Sequence, residues 1–216
     1  MLSQLILISS FLLFLNGSPD LTVSAKYEEG LKAKEAGNIE RALEIWEEAM
    51  LSTSSPDSID PRIGIAYIET VAEEGATSKY EKASKAYFWS LSCRNVHDFK
   101  ELLFFELERV RPIMEGKAYR ELHELLKKED SRFFKKLRGF WISADVNPAN
   151  EYNERLLEHF YRLAQLNEFG KDDWDFNTIY EKDHRAKIFL KYGEPDFKRE
   201  GRFLYNPLKI RNLLTQ

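Results

Sequence analysis

The sequence predicts a mainly α fold: antiparallel helix pairs, followed by a small α+β carboxy-terminal unit with a β-hairpin. Three observations point there. Apolar residues recur at helical spacing from Tyr27 to Leu126. Breaks containing Gly37-Asn38, Pro56 and Gly75 separate the stripes. Beyond Phe140 the pattern changes, and residues 186–192 (AKIFLKY) alternate in part before a glycine-proline turn.

Composition narrows the function. The chain has 216 residues, with 43% hydrophobic and 31% charged, enough apolar material for a core. Lys+Arg is 32 against Asp+Glu 36, a formal net charge of −4 that gives no reason to expect nucleic-acid binding. One cysteine, Cys93, excludes an intrachain disulfide framework or a multi-cysteine zinc site.

The first element is an address. Leu5 to Leu15 (LILISSFLLFL) is apolar and uncharged, and it stops at Asn16-Gly17-Ser18-Pro19-Asp20. It is shorter than the ~20 residues that cross a bilayer and has the length of a signal-peptide apolar region. Val23-Ser24-Ala25 supplies small residues for cleavage. A cleavable signal over residues 1–25 is the leading expectation, with a buried first helix or an uncleaved anchor as alternatives. Export to the periplasm, the cell envelope or the medium follows from the first.

Residues 26–137 are expected to form a helical domain. Within Tyr27–Met50, Gly37-Asn38 ends one helix and opens the next. Ala42 and Ala49 are small enough for close approach, and Trp46 fills the groove between the helices. Ile39, Leu43, Trp46 and Met50 continue the apolar stripe. A degenerate second copy places Ala83, Tyr87 and Ser90 at the spacing of Ala42, Trp46 and Ala49, with its first helix over about residues 62–74. Gly30, Gly37, Ala42, Trp46 and Ala49 together resemble a tetratricopeptide repeat. Such repeats stabilise one another by stacking. The next helices, on Phe99, Leu102, Leu103, Leu107 and Val110 and on Tyr119, Leu122, Leu125 and Leu126, would supply that support. A basic group, Lys127-Lys128, Arg132, Lys135-Lys136 and Arg138, reads as a solvated face or as a site for an acidic partner or anionic lipid.

Residues 138–216 form the expected last unit. Phe140-Trp141 precedes a turn at Asn147-Pro148, and a helix follows from about Glu151 to Glu168, with Leu156, Leu157, Phe160, Leu163 and Ala164 inward. The strand at 186–192 would turn at Gly193-Glu194-Pro195-Asp196 and pair with residues 202–205 (RFLY). Phe140-Trp141, Asn150-Glu151, Tyr161-Arg162, Asn167-Glu168-Phe169, Arg185 and Tyr192-Gly193-Glu194-Pro195-Asp196 resemble the bacterial GWxTD-domain proteins over roughly residues 138–197. The name-giving motif departs: Asp173 precedes Trp174, and Phe176-Asn177 follows. The resemblance implies structural roles for Asn150, Tyr192, Gly193, Pro195 and Asp196. It implies a secreted or envelope setting and no particular reaction.

Chemistry is sparsely signalled. His97, His123, His159 and His184 lack zinc-helix spacing, and no phosphate loop or nucleophile elbow appears. No catalytic residue, cofactor or metal is expected. The densest polar stretch, Asp172 to Arg185 around Trp174, reads as a charged loop or as a small-ligand or enzymatic site. Its candidate binding residues are Trp141, Glu151, Arg162, Trp174, Asp183, His184 and Arg185. Arg162 could pair with Glu151 or Asp196, and Trp141 and Trp174 could be core anchors or a surface platform. Cys93 reads as a small buried residue. The leading expectation is an exported module that binds a protein or peptide in the envelope, with self-association as a further possibility. Membrane contact would come only through an uncleaved signal.

Overall fold

A computed structural model describes residues 21–169 and 184–194. Its helices are α1 (Leu21–Glu35), α2 (Ile39–Ser52), α3 (Pro61–Glu73), α4 (Tyr80–Ser90), α5 (Lys100–Val110), α6 (Gly116–Lys127), α7 (Arg132–Ala144), α8 (Glu154–Phe169) and α9 (His184–Tyr192). The fold is mainly α, and no strand occurs among the described residues.

The first pair forms because the sequence stops and restarts within three residues. Gly37 takes φ 78°, a left-handed conformation that closes α1, and its N–H donates to the Lys34 carbonyl at 2.9 Å. Lys26 at the start of α1 pairs with Glu48 near the end of α2, and Gly30 meets Trp46, so the helices run antiparallel. Trp46 is fully buried, and its indole Nε1–H donates to the Tyr27 carbonyl at 3.3 Å. A Cβ on Gly30 would lie 2.1 Å from that Nε1, so the indole fits only against a bare backbone.

α3 begins with Pro61 at its first position, where the missing N–H costs nothing. Asp60 caps it, accepting from the Arg62 N–H at 3.1 Å. α3 packs on α2, α4 and α8, which buries Ile63, Tyr67, Ile68 and Val71 completely. A Cβ on Gly64 would stand 2.1 Å from the Ala86 carbonyl oxygen and 2.1 Å from Ser90 Oγ. Ser90 in turn donates to the Pro61 carbonyl at 3.0 Å. α3 and α4 therefore touch backbone to backbone. Gly64 follows Gly30 by 34 residues, a repeat offset that the Trp46-to-Tyr87 spacing of 41 hides.

One hydrophobic core runs from Val23 to Leu190. α7 crosses residue 138, where the sequence changes character, and buries Phe133, Phe134, Leu137 and Trp141. The residues read as a cleavage site lie within α1: Val23 is buried, and Ser24 donates to Asp60 Oδ2 at 3.3 Å. The apolar run at 5–15 lies outside the described residues.

The expected β-hairpin is corrected. Residues 186–192 are helical, as part of α9. Ala186 and Leu190, four apart, are buried, while Ile188 between them is 58% exposed. That is a helical spacing, and a strand would have put all three on one face. Gly193, expected in a turn after a strand, ends this helix instead, with φ 83° and its N–H donating to the Phe189 carbonyl at 2.7 Å. Residues 202–205 lie outside the described residues.

Candidate interaction site

Of the predicted site residues, Trp141, Glu151 and Arg162 are described with their surroundings, and they hold different places. Trp141 is a core anchor: it is fully buried, and its Nε1–H donates to Tyr87 Oη at 3.2 Å. Arg162 is half-buried and tied to α9, donating to the Leu190 carbonyl at 3.0 Å and pairing with Glu158. Arg155 donates to the Lys191 carbonyl at 3.3 Å. Two cations thus hold the carbonyl end of α9, where the helix dipole favours them. The expected partners of Arg162 were Glu151 or Asp196, of which Asp196 lies outside the described residues. Glu151 lies in the exposed loop before α8. Tyr192 is 69% exposed with Lys191 over its ring. His184 and Arg185 open α9. Trp174, Asp183, Pro195 and Asp196 lie outside the described residues. No group of three or more His, Cys, Asp or Glu among the described residues could hold a metal ion. No helix among them is long and apolar enough to cross a membrane.

A polar network that the sequence did not signal lies in the core. Tyr87 donates to Glu106 Oε1 at 2.6 Å, and Glu106 Oε2 is 3.2 Å from Arg109 Nη1, without hydrogen-bond geometry. Arg109 also reaches Glu69 at 2.5 Å and lies over the Phe160 ring at 4.9 Å. His159 is fully buried beside Trp141 and Phe160, and among the described residues neither ring nitrogen has a partner in good hydrogen-bond geometry, the Arg109 backbone being the polar neighbour. Burial pushes the Glu106 carboxyl above its usual range, against the opposing Arg109 charge. Burial also holds His159 well below the ordinary imidazole value, reinforced by Arg109, Arg155 and Arg162 and only partly opposed by the Arg109 backbone. Tyr87, Glu106, Arg109, Trp141 and His159 are all buried, so the network fixes α4, α5, α7 and α8 and offers no place for a substrate. Cys93 is buried too, its thiol pushed up to about 12 by burial.

The open concavity lies between α4, the end of α7 and the loop before α8. It encloses about 510 Å³, lined by Phe88, Trp89, Ile142, Pro148, Tyr152 and the polar groups Lys85, Ser92, Arg138 and Glu151, among others. Its walls are built. Asn153 caps α8, accepting from the Leu156 N–H at 2.8 Å, while its Nδ2 donates to the Trp141 carbonyl at 2.7 Å. The Asn153 backbone N–H donates to Ser84 Oγ at 3.1 Å. Asp145 accepts from the Glu154 N–H at 3.2 Å, and Asn150 bonds the Glu154 carboxylate. Arg138 lies over the Phe88 ring at 5.2 Å and donates to the Phe88 carbonyl at 3.3 Å. Ile142 stays 58% exposed at the rim. Sequence reasoning missed Asn153; its signal was an Asn directly before Glu154 and the apolar run. A second cleft of about 390 Å³, at the other end of α7, is lined by Arg120, Glu121, Glu124, Leu125, Lys128, Arg132 and Lys136. A third, of about 870 Å³, sits at the turns joining the helix pairs and has no aromatic lining.

In this cleft half-exposed aromatics surround a stacked arginine, the kind of grouping that anchors a partner at protein interfaces. No protein-family model, no curated protein and no solved structure matches the chain.

Proposed function

We propose that the chain is an exported, tetratricopeptide-like interaction protein carrying a GWxTD-like carboxy-terminal unit. It holds a protein or peptide partner in the bacterial envelope through the cleft between α4 and α7. The observation that carries this reading is the grouping of Phe88, Trp89 and Ile142 around Arg138 on a rigid wall. Aromatic and arginine anchors of this kind supply most of the energy of protein interfaces. The repeat reading is supported by two close helix pairs, each seated on a glycine, Gly30 under Trp46 and Gly64 under Ala86 and Ser90.

The test is capture from envelope extract with the wild-type chain and with Ile142→Asp, an exposed change that leaves the core intact. A specific partner retained by the first and lost with the second supports the reading. Identical capture by both, or none by either, refutes it.

A further inference from the structure

α7 presents an outer face that nothing among the described residues covers. Its thirteen residues carry Arg132, Lys135, Lys136 and Arg138 and no acid, within a chain of net charge −4. Asp130 pairs with Arg132, and Glu121 with Lys136. Among the described residues Lys135 and Lys128 have no ion-pair partner, and Arg138 is held by neutral groups, the Phe88 carbonyl and Ser92 Oγ. Directly after these cations stands Gly139, exposed in the middle of the helix. A Cβ there would meet nothing within 4 Å among the described residues. Gly30 and Gly64 are required by their neighbours, whereas Gly139 weakens its helix and relieves no internal contact. A bare backbone on a solvent-facing helix lets an outside chain approach closely. The face spans roughly 20 Å at 1.5 Å per residue. It joins the basic cleft around Leu125, at its start, to the aromatic cleft around Phe88 and Ile142, at its end.

We infer that the outer face of α7 is the docking strip for an acidic peptide segment of the partner, which lays its carboxylates along Lys128, Arg132, Lys135 and Arg138, crosses Gly139, and seats an apolar or aromatic anchor between Phe88 and Ile142. This deepens the function proposed above and rests on it. Charge complementarity selects an acidic chain. The acids Glu121, Glu124 and Asp130 interrupt the basic surface, which suits an extended peptide threading between them better than a uniformly anionic lipid sheet.

The test uses a fluorescein-labelled peptide of sequence EEDEGSLWF, its charge-reversed counterpart KKRKGSLWF, and phosphatidylglycerol vesicles, each titrated against the full chain. The acidic peptide is expected to bind, to weaken as salt rises, and to lose about tenfold or more in affinity with Lys128→Glu combined with Lys135→Glu. Gly139→Gln separates binding from folding. It is expected to raise the melting temperature, because glutamine is the better helix former, while lowering peptide affinity about tenfold by blocking the approach. Equal binding of both peptides, unchanged affinity in Gly139→Gln, or binding to vesicles without binding to the peptide would each overturn the inference. If Ile142→Asp abolishes binding of both peptides while the α7 variants bind them equally well, the aromatic cleft stands as the site and only the charge-reading strip falls. If the acidic peptide binds Ile142→Asp as it binds the wild type, the cleft reading itself falls.

Discussion

Four glycines placed differently in one helical fold give a test in which the same methyl group is added each time. Alanine in place of a helical glycine stabilises a helix by roughly 0.5–1 kcal/mol when space and backbone allow. Gly139 meets nothing among the described residues, so Gly139→Ala is expected to gain about that amount. Gly37 also has open space, but its φ of 78° charges an L-residue about 1–2 kcal/mol, so Gly37→Ala is expected to lose stability. Gly30→Ala would drive its methyl to 2.1 Å from Trp46 Nε1 and 2.5 Å from Cε2. The indole is fully buried and bonded to the Tyr27 carbonyl, so it cannot swing aside, and overpacking of about 1–3 kcal/mol exceeds the helix gain. Gly64→Ala is the most severe, because the obstruction is the Ala86 carbonyl at 2.1 Å, part of a helix backbone, and the two helices must separate by over ~1 Å. Urea unfolding followed by circular dichroism reads each change as a midpoint shift at constant slope. The expected order of stability is Gly139→Ala above wild type, then Gly37→Ala and Gly30→Ala, with Gly64→Ala lowest. Stabilisation by Gly30→Ala or Gly64→Ala would show that the helix pairs do not meet where described.

Three further outcomes follow from the core and the α8–α9 contact. His159 is held neutral in the folded state, so the unfolded chain binds a proton near pH 6.5 that the folded chain does not. Its stabilising contribution is full above that pH and declines by about 1.4 kcal/mol per unit as pH falls below it; urea midpoints between pH 7 and pH 5 should drop, and His159→Phe should flatten the drop. Cys93, with its thiol raised to about 12, should resist iodoacetamide at pH 8 in the folded chain and react at once in urea. Arg162→Ala removes a donor from the Leu190 carbonyl, so amides of α9 should exchange faster while the α3 amides keep their protection.

Much of the helical layer was legible because it is local. The Gly37 break, the small Ala42 and Ala49, and the stripes on α5, α6 and α8 all follow from spacing within one or two turns. Trp46 was readable as a wedge for the same reason. Gly64 was missed because an insertion shifts the second helix of its pair but not the first, so matching Trp46 to Tyr87 gives the wrong offset. The strand at 186–192 failed because Ile188 is an exposed apolar residue, and two-residue alternation mimicked a sheet where the burial of Ala186 and Leu190 follows a turn. The buried network was illegible in principle: Glu106, Arg109 and His159 carry surface-type side chains, and their partners Tyr87 and Trp141 arrive from α4 and α7. The candidate site was legible only in fragments. Trp141 and Arg162, read as candidate binding residues, are engaged inside the fold, whereas Phe88, Trp89 and Ile142 form a surface only once α4 and α7 lie side by side.

The central claim is that the α4–α7 cleft is the face that meets a partner. Placing a photo-crosslinking benzoylphenylalanine at Ile142, and as a control at Leu51, which is 88% exposed outside the cleft, tests it in intact cells. A discrete adduct from position 142 with none from position 51 is the predicted result. Equal adducts from both positions, or from position 51 alone, would contradict it.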